Sequence, residues 1–137
     1  MFSFSAWVLA VLTAFALFTA YSAFRAPRLF GERLGFAISG ADGLNEVRAQ
    51  YGGFYLLVAI VGVLALLGKT SLASALLVTT VVFGGLIVGR VMSLVLDGGL
   101  KSYRLPTIRA LFVIDTLGVA ISGAALSLSL AASHVQA

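Results

Sequence analysis

The chain has 137 residues, 61% of them hydrophobic and only 10% charged, with a mean hydropathy of +1.10. Soluble domains are nearer half apolar and a quarter charged, so these values exclude a soluble globular domain and imply an all-α integral membrane protein. There is no cysteine, which removes disulfides and cysteine-held metal centres, and the formal charge of +4 sits beside apolar spans, where membrane lipids rather than nucleic acid are the expected partner.

The first apolar stretch, about 4–24, is long enough to cross a bilayer, which takes about 20 apolar residues. No Lys or Arg precedes Arg25 and the run is too long for a signal-peptide core, so it reads as a retained transmembrane helix. Next, "RLFGERLGFAISG" places Leu29, Phe30, Leu34, Ala37 and Ile38 near one face of a short helical pattern. A segment lying along the membrane surface is expected there, over about 29–40.

The second span, about 46–67, opens on "NEVRAQYGG", with Glu46 and Arg48 immediately before the apolar run. Arg48, Gly52, Tyr55, Ala59 and Gly62 recur at steps of four and three and so share one helical face. Gly68 suits the C-terminal cap, and Thr70 or Ser71 the start of a third span over about 71–97, which makes "GKTS" a tight turn. The third span carries Gly85 and Gly89, then Arg90, Ser93 and Asp97 on one face before "DGG" stops it. Pro106 begins a fourth span, about 106–132, with Asp115, Gly118, Ser122, Ala125 and Ser129 in line. The sum is one domain, a compact four-transmembrane-helix bundle. "VRAQY" and "IRALF" each open the returning helix of a pair, which suggests a parallel repeat of two hairpins.

Two sets of residues stand out. Small residues at helical spacing, Gly52, Gly53, Gly62, Gly85, Gly89, Gly118 and Ser122, are expected to let helices approach closely. A charged cluster or anion-binding site is expected from Glu46, Arg48, Tyr51, Arg90, Ser93, Asp97, Arg109 and Asp115. Arg48 and Arg109 in first turns and Asp97 in a last turn oppose the helix macrodipole and call for partners. Asp115 lies more than a turn inside the fourth span; a carboxylate at the bilayer centre costs roughly 2.5 to 3.5 kcal/mol on insertion scales, so pairing with Arg90 or Arg48 is expected. No catalytic residue, metal ligand set or cofactor motif emerges. The single histidine, His134, sits in a polar tail, the arginines neutralise the carboxylates, and neither GxGxxG nor a Walker pattern is present. Eight of the nine Lys and Arg flank the first and third connections, leaving only Lys69 opposite. The positive-inside rule then places those connections in the cytoplasm and both termini in the periplasm, with the protein in a bacterial inner membrane.

"NEVRAQYGG" followed by "GRVMSLVLDG" resembles the bacterial membrane family known as domain of unknown function 4345 (DUF4345). Its members are similar small four-helix proteins with an acidic-x-Arg-Ala-x-Tyr-Gly-Gly start to the second helix and a Gly-Arg-x-x-Ser-x-x-x-Asp-Gly end to the third. Here the pattern falls on Glu46, Arg48, Ala49, Tyr51, Gly52, Gly53, Gly89, Arg90, Ser93, Asp97 and Gly98, with Asp115 as the acidic residue early in the fourth helix. A looser similarity of architecture links the chain to DoxX-like four-helix proteins. The resemblance implies the architecture and no activity. The expected function is a non-catalytic accessory subunit or lipid-binding component, with lipids, a larger membrane complex or a second copy as partners. Two alternatives stand beside it: an intramembrane enzyme or carrier in which Arg48, Arg90 and Arg109 hold a phosphate-bearing lipid, and a small proton-coupled transporter.

Overall fold

The structure is a computed structural model that describes residues 3–96 and 105–135, with side chains as far as 132. Ser3 opens the first helix: its hydroxyl oxygen accepts the Ala6 N–H at 3.2 Å, satisfying an amide that a helix start leaves without a partner. Helix α1 (Phe4–Arg25) stops because Pro27 disfavours helical geometry at the residue before it and is ready-made for the first position of a new helix. That helix, α2 (Pro27–Arg33), ends at Gly35, which takes a φ of +86°. The Phe36 and Gly35 N–H groups turn back to the Gly31 and Glu32 carbonyls at 2.9 and 3.0 Å, a double-bonded C-terminal cap. Ala37 and Ile38 therefore lie in a loop, and the segment over 29–40 is a short helix followed by an irregular turn.

Helix α3 (Gly40–Val47) passes without a break into a π-helical turn, Arg48–Gly53, and on into α4 (Phe54–Leu66). The wider winding is visible at its end, where the Phe54 N–H reaches back five residues to the Ala49 carbonyl. One rod, Gly40–Leu66, forms the second span, and its winding changes at the "RAQYGG" motif. Gly68 (φ +68°) closes α4 with the same kind of cap: its N–H meets the Ala65 carbonyl at 3.0 Å and that of Lys69 meets Leu64 at 2.8 Å. Ser71 accepts the Ser74 N–H at 3.3 Å to start α5 (Leu72–Leu96), completing a tight hairpin. Helix α6 (Pro106–Val135) begins on its proline, and its backbone is helical at His134 rather than an irregular tail.

Four helices, Phe4–Arg25, Gly40–Leu66, Leu72–Leu96 and Pro106–Ala132, are long and apolar enough to cross a membrane, and the chain is a multi-pass, all-helical membrane protein. Trp7, Phe18, Leu57 and Val95 point outward from the bundle, which suits lipid surroundings. Helix α1 packs chiefly on α4 and its π turn, and α5 chiefly on α6. The two pairs meet tightly at the end that carries Ser5. There Val8, Leu9, Ala65, Ala75, Leu76 and Ala125 form a buried core, and the Ser5 hydroxyl donates to the Ala125 carbonyl at 2.9 Å. Gly62 admits Thr13, whose hydroxyl is buried without a conventional partner and would collide with any Cβ at that position. Thr80 Oγ1 lies 3.0 Å from Ser122 Oγ, whose own hydrogen goes to the Gly118 carbonyl at 2.7 Å, so α5 and α6 are stitched by side chains as well as shape.

Candidate functional site

Toward the opposite end the helices part. Helix α5 presents Gly85 and Gly89, and a Cβ built on either meets nothing within 4 Å. Below them the bundle closes on a floor where the Phe15 and Phe83 rings stand 6.2 Å apart and Phe83 presses on Gly118, within 2.5 Å of where a Cβ would be. The result is a cavity of about 870 Å³ between α1, α5 and α6, bounded also by α2 and the turn after it. Gly35 brings that turn against Leu105, since a Cβ there would lie 2.8 Å from the leucine side chain. Phenylalanine and leucine side chains supply much of the wall, and Thr19, Ser22, Tyr51, Tyr55, Ser93 and Thr107 add hydroxyl groups to it.

One wall holds an ion pair. Arg90 Nε donates to Asp115 Oδ2 at 2.6 Å, with the side chains 19% and 3% exposed. Helix α5 supplies the arginine and α6 the acid, and the guanidinium also lies 5.5 Å from the centre of the Phe112 ring. A carboxylate so deep among apolar helices is stable as an anion only with a cation held against it. The pair therefore fixes α5 to α6 within the cavity wall, next to Gly89, which presents no side chain of its own.

The π turn decides which side of the second span faces this site. Val47 and Gly52, five residues apart, are both buried, whereas in an α-helix the shared face repeats at three and four. The extra residue moves Val47 inward and leaves Arg48 exposed. Gly52 meets the Phe24 ring, which would sit 2.8 Å from a Cβ, and Tyr51 turns toward Phe30 and Phe36, with ring centres 5.2 and 6.2 Å away.

Of the eight residues expected in a charged cluster, Arg90, Asp115, Ser93 and Tyr51 line the cavity together. Glu46 and Arg48 are exposed and form no ion pair with another described residue; Glu46 instead borders a second hollow of about 470 Å³ beside α3. Arg48 also lies well inside the rod that starts at Gly40, so the first-turn macrodipole conflict expected of it does not arise. Arg109 is exposed and stands off the cavity wall. Asp97 and Gly98 lie outside the described residues. Among the small residues, Gly52, Gly62, Gly118 and Ser122 sit at close contacts; Gly53 meets only the Arg48 carbonyl, at 3.8 Å. Gly85 and Gly89 do not pack at all, because the helix that would press on them is displaced by the cavity. Sequence reasoning gave Phe30 to an interfacial face and Arg33 to the basic flank of the first connection, and placed neither of them nor Phe36 in the site, because their place depends on the turn at Gly35.

Residues 4–113 match the family model described as Domain of unknown function (DUF4345). The chain belongs to the DUF4345 family. The matched stretch takes in the π turn and Arg90 and stops just before Asp115, so the acid of the pair lies beyond the part this DUF4345 member shares with the family model. No curated protein and no solved structure matches the chain.

Proposed function

We propose that this protein is a non-catalytic lipid-binding component of the bacterial inner membrane, and that its cavity takes a single-chain or similarly slender amphiphile. The observation that carries this reading is the cavity itself: about 870 Å³, walled by aromatic and aliphatic side chains, with its charged groups gathered toward one end of the bundle. Ligand sites for small molecules are commonly of this size and mixed character. Asp115 is occupied by Arg90, which argues against a free carboxylate that shuttles protons. The three-arginine anion site of an intramembrane enzyme or carrier loses support because Arg48 and Arg109 stand off the wall.

In this reading the basic end of the bundle faces the cytoplasm, both termini face the periplasm, and the protein serves alone or as an accessory subunit. Native mass spectrometry of protein extracted in mild detergent tests the function. The wild type should carry a retained amphiphile, and Gly89→Leu, which projects a bulky side chain into the cavity, should release it. An identical bare mass for both would refute the proposal. Reporter fusions test the orientation: one at the C-terminus should score periplasmic and one after Gly40 cytoplasmic.

A further inference from the structure

The cavity wall includes three charged side chains among the described residues: Arg33, Arg90 and Asp115. Arg90 and Asp115 neutralise each other at 2.6 Å. Arg33, an exposed side chain, has no such neighbour among the described residues. It closes α2, one residue before the Leu34 cap, and makes no hydrogen bond or ion pair with another described residue. The other charged residues of α2 do not supply one either. Glu32 is adjacent in sequence and so faces a different side of the helix, and Arg28 is itself a cation. Two guanidinium groups and one carboxylate leave the described lining with a surplus of one positive charge, located on α2.

That surplus sits opposite the apolar depth of the cavity. Phe15 of α1 lines the part beside the Phe83 floor, whereas Arg33 approaches from the end of α2. A ligand filling both regions has an aliphatic body and an anionic head. We infer that the cavity selects an amphiphile whose head group carries a single negative charge, and that Arg33 is the residue that holds it. The inference rests on the lipid-binding reading above and adds to it the charge of the ligand and the residue that reads that charge. The planar guanidinium suits either a carboxylate or a phosphodiester. The occupant is an amphiphile from the bilayer rather than a small free anion, because most of the wall offers an anion nothing to bind.

The test measures binding of laurate, dodecanol and acetate to the full chain in a neutral detergent, by native mass spectrometry, for wild type, Arg33→Gln, Arg25→Gln and Gly89→Leu. Laurate and dodecanol share a chain and differ in charge; acetate has the charge without the chain. Laurate should bind the wild type about tenfold more tightly than dodecanol, the scale of one hydrogen bond to a charged group. Arg33→Gln should abolish that preference and leave dodecanol unchanged. Arg25→Gln removes a surface charge of α1 that does not line the cavity and should preserve the preference. Gly89→Leu should weaken both long chains. If both chains are lost in Gly89→Leu but bind the wild type equally, the charge assignment falls and the lipid site stands. A preference that survives in Arg33→Gln, or that Arg25→Gln erases as well, overturns the role of Arg33. Acetate displacing laurate at equal concentration, or Gly89→Leu changing neither chain, overturns the lipid site and the inference with it.

Discussion

The two halves of the bundle use the same residue types to opposite ends. In the half that carries Ser5, glycine and serine sit where another helix presses: Gly62 receives Thr13, and Ser122 accepts Thr80 at 3.0 Å. In the other half, Gly85 and Gly89 face open space and create a cavity of about 870 Å³. A small residue removes an obstacle in both places. What enters the vacated space, a neighbouring helix or a ligand, is set by the partner surface rather than by the glycine itself. Where the glycines have withdrawn the contacts of α5, the Arg90–Asp115 pair supplies a directional one.

The comparison breaks most readily at that pair. Arg90→Ala leaves a buried carboxylate without its cation and should cost about 3 kcal/mol, at the low end for dry buried pairs because Arg90 is partly exposed. Thermal unfolding in detergent measures this. Adding Asp115→Asn should recover part of the loss, and strictly additive effects would mean that the two side chains do not couple. Gly62→Leu comes next: the added side chain has to displace Thr13 from the α1–α4 contact, which should cost roughly 2 to 3 kcal/mol. Ser122→Ala takes the acceptor from Thr80 and should cost about 0.5 to 1 kcal/mol, seen as a small drop in melting temperature. Smallest is Gly89→Leu, the same exchange as at position 62. It should be neutral or stabilising by up to about 1 kcal/mol, since a helical glycine is replaced where nothing stands in the way. Equal losses at positions 62 and 89 would erase the distinction between the two halves.

The long apolar runs made the helical class and the four spans legible, because a bilayer admits few other solutions. Asp115 was legible as a residue in need of a cation for the same reason. Arg48 was misleading. Its alignment with Gly52, Tyr55, Ala59 and Gly62 assumes uniform α-helical winding, and the π turn over Arg48–Gly53 breaks that uniformity at the point where the alignment begins. Periodicity contains no signal for such a turn. Gly85 and Gly89 were ambiguous in a different way, since their spacing is the same whether a helix or a cavity faces them. Arg33 was hidden by the local cap at Gly35, which ends α2 and directs the following residues back over the bundle.

The π turn has a consequence for how this protein tolerates deletion. Losing one residue between 48 and 53 would let the rod rewind as ordinary α-helix, shortening a 27-residue span by only about 1.5 Å. The bilayer would scarcely register that change. The packing would scarcely register it either, since Val47 would then stand four residues from Gly52 and keep the face the two share; rewinding without a deletion would instead rotate every side chain on the N-terminal side by about 100° relative to α4, carrying Val47 off that face and swinging Arg48 onto it. The wide winding, with all six residues present, thus keeps a valine rather than a cation at the helix contact, so the winding of this turn is as much a part of the site's chemistry as the identity of its residues.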